Sequence, residues 1–355
     1  MKRVLTFTLS VLLVMALLVG CAGTIVVIED CTCPTNGNNN LKPSQPVGEG
    51  AVKTGLAVVT SVSDSTSATA TEDGAIKYDI TIVAVNVDDK GMITACCIDS
   101  VPATVKISAK GQILTDLNTA IPTKNELGAD YGMVAGGGAI AEWDAQVAAL
   151  CDYAVGKTVE ELKNGAIDET GKAPAGSDLA SSATIYLGGY VSAIEAAVNS
   201  AKHLGAQAGD ELALVTLNTI GSSTAATAEK DGTIQLDTGI AVVTSKDGVI
   251  TSCIIDAVQA KISFNAAGSI TTDLSKAILT KNELGKDYGM QAWGGAIAEW
   301  NEQAASFAAY VTGKTAAQVA GIAVSEGKPT DTDLSTSVTI KIGDFQALIA
   351  KALGK

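Results

Sequence analysis

Two short segments rich in hydroxyl groups are the places where this chain is best equipped for chemistry. They are Asp178-Leu179-Ala180-Ser181-Ser182-Ala183-Thr184 and Asp333-Leu334-Ser335-Thr336-Ser337-Val338-Thr339. Each heptad begins with a carboxylate and ends with a threonine, whose hydroxyl is a nucleophile once it is activated. A structural interpretation is also available. The residues that follow, 184–187 and 339–342, are typical of strand starts, and hydroxyl residues at such places often only shape a turn.

The two heptads match because the chain is duplicated. Residues 280–290 repeat residues 123–133 almost letter for letter, at an offset of 157. We therefore expect one copy over residues 55–204 and a second over residues 205–355. About 150 residues is an ordinary domain size, so the second copy is expected to fold alone.

The first half of each copy predicts an antiparallel meander. Alternating segments with many β-branched residues run from Ile76 to Ile82 in the first copy and from Ile234 to Val243 in the second. Asp89-Lys90-Gly91 and Lys246-Asp247-Gly248 lie between strand candidates and carry the glycine that tight hairpin loops use.

The second half of each copy changes to helical spacing. Apolar residues recur at three- and four-residue intervals, at Ile140, Trp143, Val147, Leu150 and Ala154 and at Ile297, Trp300, Ala304, Phe307 and Val311. The pairs Thr158/Glu161 and Thr315/Gln318 match the capping box that begins another helix, and a terminal helix is predicted after each heptad. The predicted fold class is α+β: two duplicated domains, each an antiparallel sheet with packed helices.

The N-terminus predicts export and lipid attachment. Residues 1–20 have the basic start, apolar run and small final residue of a signal peptide, and the run is shorter than the ~20 residues that span a bilayer. The ending Leu-Val-Gly-Cys resembles the lipobox of bacterial lipoproteins, which implies that Cys21 carries the lipid. Residues 21–54 are expected to form a flexible tether, because 34–50 has little apolar surface to bury.

Charge and composition exclude several function classes. The net charge is −14 and Arg3 is the only arginine, so nucleic acid, whose phosphates require clustered Lys and Arg, is not an expected partner. His203 is the only histidine. A Ser-His-Asp triad or a histidine-based metal site in each copy is therefore excluded.

Other residues shared by the copies have mainly structural explanations. The glycine runs 136–138 and 294–295 are predicted to form turns into the long helix, although free N–H groups there could receive a phosphate. Glu126 and Glu283 are expected to cap helices or to be solvated rather than to act as acids or bases. Three further pairs are predicted to be core rather than the lining of a site for a flat ring system. They are Trp143 and Trp300, Tyr131 and Tyr288, and Met133 and Met290.

The heptads resemble the acceptor motif of FMN-binding domains. In that family, a flavin transferase attaches FMN through a phosphoester to the final hydroxyl of the motif. The resemblance implies covalent FMN at Thr184 and Thr339, with Asp178 and Asp333 as the leading carboxylates recognised during transfer.

The inner positions of the motif depart from the family in part. Ser182 and Ser337 stand where glycine is common. Ala183 matches the usual alanine of the first motif, whereas Val338 replaces it in the second. These four residues are still expected to belong to the two cofactor sites.

The layout as a whole resembles the two-domain flavinylated lipoproteins of Gram-positive extracellular electron transfer. The resemblance implies an extracytoplasmic electron carrier on the outer face of the bacterial cell membrane, anchored in the lipid bilayer through Cys21. It implies that electrons come from membrane quinol-oxidising redox proteins and go to extracellular acceptors such as ferric iron. Such a protein is an electron-transfer flavoprotein rather than an enzyme with its own substrate.

Two other functions are compatible with the sequence. A non-redox surface lipoprotein could use the tandem domains as a binding or scaffold module, with the heptads serving only as strand starts. A solute-binding lipoprotein is less favoured, because those proteins normally need alternating β and α units around a cleft.

Overall fold

The computed structural model describes residues 49–354. The expected signal peptide, Cys21 and most of the expected tether lie outside the described residues, whereas residues 53 and 54 already belong to the first strand. The chain folds as α+β, with helices and antiparallel sheets, as the sequence predicted.

Each copy begins with a three-stranded antiparallel meander. In the first copy the strands are β1 (Lys53–Ser61), β2 (Gly74–Val87) and β3 (Ile93–Ile107), and in the second they are β4 (Glu211–Thr219), β5 (Gly232–Lys246) and β6 (Val249–Phe264). The β5–β6 hairpin turns on Asp247 and Gly248, whose φ angles are 52° and 74°. Two successive positive φ angles define the turn type that matches strand twist.

Helices follow in the same order in both copies. The first copy contains α1 (Lys124–Leu127), α2 (Met133–Gly137), α3 (Trp143–Ala154), α4 (Val159–Ala166) and α5 (Gly188–Ser200). The second contains α6 (Lys281–Leu284), α7 (Met290–Gly294), α8 (Trp300–Val311), α9 (Ala316–Ala320), α10 (Thr332–Ser335) and α11 (Gly343–Ala352), with a small hairpin of β7 (Val324–Ser325) and β8 (Lys328–Pro329) before α10.

The local helix signals are confirmed with one correction. Both predicted capping boxes are present, at the starts of α4 and α9. The long helices α3 and α8, however, begin three residues after Ile140 and Ile297, which are exposed. They begin late because Glu142 and Glu299 have extended backbone, with ψ near 160°, and so end the preceding loop.

The inner faces of the two sheets pack on each other and form one hydrophobic core. This core takes Ile76, Ile80 and Val105 from the first copy, and Ile234 and Phe264 from the second. A reciprocal pair of hydrogen bonds joins the copies at its edge: Ala68 N donates to Gly268 O and Ala226 N to Gly111 O, each at 2.9 Å. Each sheet therefore buries its inner face against the other copy, so the second copy alone would expose that face to solvent.

The outer face of each sheet is covered by two helices. In the first copy α5 packs across β1 and β2 and α3 packs on β3, and in the second α11 and α8 take the same places. The cover is incomplete over the first half of β2, where Lys77 and Asp79 are exposed, whereas from Ile82 onward both faces of the strand are buried. This opening in the helical layer leaves room for a cavity.

Candidate functional site

Neither heptad leads into a strand, so the strand starts predicted at 184–187 and 339–342 are wrong. The chain instead continues as an irregular loop into α5 or α11. The loop is fixed by a glycine carbonyl: Leu187 N donates to Gly171 O at 2.8 Å, and Ile342 N donates to Gly327 O at 3.0 Å. These bonds occupy N–H groups that a strand would have given to a neighbouring strand.

A buried glutamine holds the end of each heptad. Gln146 is fully buried, and its Oε1 accepts from Thr184 N at 2.8 Å, from Ile185 N at 3.2 Å and from the Thr184 hydroxyl at 3.3 Å. Its Nε2 donates to Ala141 O at 2.8 Å. All polar atoms of the amide are thus engaged, which is the condition for burying it at low cost.

The second copy repeats this arrangement. Gln303 is fully buried, and its Oε1 accepts from Thr339 N at 2.8 Å and from the Thr339 hydroxyl at 3.3 Å. Thr184 is exposed and Thr339 is half-buried, so each hydroxyl is held from the inside at the protein surface.

The surroundings of the inner heptad residues determine which side chains these positions accept. Ala183 and Val338 are buried in the hydrophobic clusters beneath the helices, so an apolar side chain at this position anchors the loop and either size is accommodated. Ser182 has a φ of −118°, and Ser337 is not among the described residues with positive φ. Glycine is therefore not required at these positions.

The leading carboxylates of the heptads lie in solvent. Asp178 and Asp333 are both exposed, and Asp178 makes no capping hydrogen bond with its side chain. The helix α10 is capped by Asp331 rather than by Asp333. Both carboxylates are therefore accessible from outside.

A cavity of about 470 Å³ lies in the opening between β1, β2 and the helices of the first copy. Its lining is largely aromatic and aliphatic, and includes Ile185 and Tyr186, the two residues after Thr184. The lining residues are Val59, Ser61, Asp79, Thr81, Lys124, Tyr131, Met133, Trp143, Ile185, Tyr186, Gly189 and Tyr190. This volume is in the range of small-molecule sites.

Two aromatic side chains of the cavity wall are joined by a hydrogen bond and a ring contact. Trp143 Nε1 donates to the Tyr190 hydroxyl at 2.9 Å, and the two rings meet edge to face with centroids 6.0 Å apart. Burial raises the pKa of Tyr190, outweighing the bond from Trp143 and the charge of Lys124, which lower it. The tyrosine is therefore neutral at physiological pH.

Lys124 supplies a buried cation to the cavity. Its Nζ lies 5.3 Å from the Tyr131 ring centroid and 5.1 Å from that of Trp143, within cation–π range. The same atom is 3.0 Å from Asp79 Oδ2, and Asp79 Oδ1 accepts from the Ser100 hydroxyl at 2.6 Å. Burial by itself lowers the pKa of Lys124, but the attraction and hydrogen bond of Asp79 outweigh it and raise the pKa overall.

The short helix α1, which begins with this lysine, is fixed by two carboxylates. Thr123 and Glu126 form a capping box around α1. Asp99 is buried and accepts from Asn125 N at 3.2 Å, and burial raises the pKa of its carboxyl to about 6. The second copy has the same capping box and the same buried carboxyl, Asp256, whose pKa burial also raises to about 6.

The glycine runs do not offer free N–H groups as a phosphate site would require. Gly136 and Gly137 lie inside α2, where Gly136 N donates to Gly132 O. The first N–H groups of α2, from Met133 and Val134, donate instead to the Glu142 carboxylate at 2.8 and 3.0 Å. Glu299 binds the start of α7 in the same way.

The residues predicted to be core are divided between the core and the cavity. Trp143 and Trp300 are buried, as predicted, but Trp143 also lines the cavity, together with Tyr131 and Met133. Tyr288 and Met290 pack, partly buried, against the core of the second copy. His203 bonds Asp89 at 2.9 Å on the surface. Between residues 49 and 354, no group of three His, Cys, Asp or Glu side chains could hold a metal ion.

These features define a duplicated α+β protein with one hydroxyl-presenting loop per copy. No protein-family model, curated protein or solved structure matches the chain. Within the described part of the chain, none of the helices has the length and apolarity that crossing a membrane requires.

Sequence reasoning named the two threonines but missed the residues that support them. Gln146, Lys124 and Glu142 were not chosen, although each has an identical partner in the second copy, at Gln303, Lys281 and Glu299. Identity of these polar residues between the two copies is the sequence signal that points to them.

Proposed function

We propose that this protein is a lipid-anchored extracytoplasmic electron carrier that holds FMN covalently at Thr184 and Thr339. The observation that carries the proposal is the position of Thr184: its hydroxyl is presented at the surface by buried Gln146, and the next two residues line an aromatic cavity of about 470 Å³. The proposed covalent acceptor is thus adjacent to the proposed place for a flat ring.

The residues of the cavity fit an isoalloxazine ring system. Trp143, Tyr190 and Tyr131 offer flat apolar surface, and Asp79 and Lys124 offer polar contacts at one side. A binding site for an amphipathic ring needs this combination of mostly apolar lining with a few fixed polar groups. The flavin would supply reversible electron transfer, and the protein would hold it, orient it and set its electrostatic surroundings.

A covalent bond is a reasonable solution for this chain. The only arginine lies in the expected signal peptide, so the mature protein would lack the bidentate clamp that favours phosphate esters. A phosphoester to threonine would retain the cofactor outside the cell without such a clamp. The exposed Asp178 and Asp333 are accessible for recognition by a flavin transferase.

An extracytoplasmic location is supported by the sequence of residues 1–21, which has the layout of a signal peptide followed by a cysteine. The proposed donors are membrane quinol-oxidising redox proteins, and the proposed acceptors are extracellular oxidants such as ferric iron.

Coexpression with a flavin transferase and its flavin donor tests the proposal. Intact mass under denaturing conditions should show two added FMN masses on the wild-type chain, one on Thr184→Ala or Thr339→Ala, and none on the double variant. Thr184→Ser should keep modification because it keeps a hydroxyl, and Ser182→Ala, one of the exposed motif hydroxyls, should keep both masses. If the wild-type chain gains no flavin, the proposal fails and a binding or scaffold module becomes the better account.

A further inference from the structure

Lys124 and Lys281 occupy equivalent places in the two copies. Lys281 Nζ lies 4.8 Å from the Tyr288 ring centroid and 4.9 Å from that of Trp300, which repeats the contacts of Lys124 with Tyr131 and Trp143. The local structure therefore fixes a lysine cation beside the same pair of rings in each copy.

The aspartate at the equivalent position of β2 and β5 has different partners in the two copies. Asp79 and Asp237 are equivalent, since each pairs with the last residue of the first strand of its sheet. Asp79 forms an ion pair with Lys124 at 3.0 Å. Asp237 instead accepts from Gln235 Nε2 at 2.9 and 2.8 Å and from Gln259 Nε2 at 3.0 Å. In the described residues, Lys281 has no carboxylate within ion-pair distance.

Two substitutions account for this difference. Gln259 stands opposite Asp237 in the sheet, where the first copy has Pro102 opposite Asp79. Gln235 replaces Lys77 two residues earlier. The two amides give Asp237 neutral donors, so its carboxylate is oriented by them rather than by the lysine.

Beside these rings the first copy thus contains a buried lysine cation paired with a carboxylate, and the second contains a half-buried lysine cation without such a pair. Reduction of a flavin adds negative charge, which an unpaired cation stabilises more than a neutral ion pair does, and the effect is strengthened where the charges are shielded from water. Lys341 and Asp344, which replace Tyr186 and Gly189, are exposed charges of opposite sign and are screened by solvent.

Building on the proposed function, we propose that Lys124 and Lys281 set the midpoint potentials of the two sites and that Asp79 makes the first site the lower of the two. Both lysines are positioning residues in this role, since they act through their charge on the neighbouring cofactor. A partly reduced protein would then hold its electrons mainly on the second copy.

Spectroelectrochemical titration of single-site proteins tests this inference. Thr339→Ala leaves only the first site loaded and Thr184→Ala only the second, so each potential is measured alone. We expect the second site to have the higher midpoint. In the first site, Asp79→Asn should raise the midpoint potential and Lys124→Gln should lower it. Lys124→Arg should leave the midpoint potential close to that of the unsubstituted protein. Asp237→Asn in the second site is the matched control and should move the midpoint less than Asp79→Asn does.

A measurement without cofactor separates electrostatics from misfolding. In the flavin-free protein, the pKa of Lys124 followed by the NMR shift of its ε carbon should fall on Asp79→Asn substitution, with the fold intact by circular dichroism. Equal midpoints for the two loaded sites, or a first-site midpoint unmoved by Asp79→Asn and Lys124→Gln, would overturn the inference while leaving the proposed function intact. Absence of covalent flavin from either single-site protein would instead overturn the proposed function, and this inference with it.

Discussion

The loops around Thr184 and Thr339 have the same supports but different surroundings. In both copies a buried glutamine accepts from the threonine N–H, and a glycine carbonyl fixes the loop further on. The surroundings differ in size and charge. Tyr190 of the first copy corresponds to Phe345, and Asp79 binds a lysine whereas Asp237 binds two amides. The comparison indicates that hydroxyl presentation was retained after duplication while the neighbouring side chains diverged.

The largest expected effect is on stability, and it concerns the inner face of the second sheet. The first copy covers this face, whereas helices of the second copy cover the outer face. Residues 206–355 by themselves would expose the inner face of the β4–β5–β6 sheet, including Leu236, Ile262 and Phe264, which the first copy covers in the intact protein. We expect this fragment to lack a cooperative thermal transition and to be cleaved rapidly by protease, because exposure of a contiguous apolar face removes a main source of stability. Cooperative unfolding of the fragment at the midpoint of the full protein would show instead that the copies are independent.

The next effect compares the two glutamines. Gln146→Met keeps the side-chain length but leaves Thr184 N, Ile185 N and Ala141 O without their hydrogen-bond partner. With these groups shielded from water, the substitution should lower the free energy of unfolding by about 4 kcal/mol. We expect chemical denaturation to register this loss and flavin attachment at Thr184 to fall sharply.

Gln303→Met is the matched control for that prediction. It should reduce attachment at Thr339 and leave Thr184 modified, since each glutamine serves only its own copy. Equal loss at both threonines after either substitution would mean that the effect is global unfolding rather than local loop support.

The two copies should contribute equally to a change of the unfolding free energy with pH. The folded protein holds protons on Asp99 and Asp256 up to about pH 6, whereas the ordinary pKa is near 3.8. Their stabilising contribution is therefore complete below pH 3.8 and is lost as pH rises through 6. Relative to the wild type, Asp99→Asn should gain about 3 kcal/mol of unfolding free energy between pH 3.8 and pH 7, as measured by denaturant titration at several pH values.

Asp256→Asn should give a curve of the same shape as Asp99→Asn. Carboxylates whose pKa is lowered on the surface, such as Asp168 and Asp273, change stability in the opposite direction, but they are common to all the proteins compared and cancel in the difference. A difference between variant and wild type that is constant with pH would contradict the raised pKa of these carboxyls.

The smallest expected effect is a difference in coupling energy between two ion pairs. Lys351 of α11 bonds the Glu126 carboxylate of the first copy and also donates to Thr216 O at 2.8 Å. A double-mutant cycle should give a coupling energy of about 1 kcal/mol for this partly buried pair and about 0.3 kcal/mol for the exposed pair Lys163–Glu195. Equal couplings would show that the contact between copies adds nothing beyond a surface pair.

Local features of the fold could be predicted from sequence because their causes are local. The capping boxes at Thr158 and Thr315 and the glycine-containing hairpins are decided by residues within four positions of each other. The alternation in β2 also showed one apolar face, but could not indicate that the second copy covers it.

The site could be predicted only in part for a related reason. Thr184-Ile185-Tyr186-Leu187 has the composition of a strand, yet no neighbouring strand is available to it and its N–H groups are taken by Gln146 and Gly171. Gln146 lies 38 residues before Thr184, and a glutamine in a helix is usually a surface residue. Within one copy, a contact at such a separation leaves no pattern in the sequence, and only the identity of Gln146 with Gln303 in the second copy points to it.

The most direct test of the covalent-carrier account is to locate the flavin on peptides of the doubly modified protein. Trypsin should release residues 173–202, with Thr184, and residues 315–341, with Thr339, because Lys328 precedes proline and resists cleavage. The account predicts one FMN mass on each peptide, fragmenting to Thr184 and Thr339, and unmodified peptides elsewhere. Flavin on other residues, or unmodified forms of both peptides from a chain made with an active transferase, would contradict it.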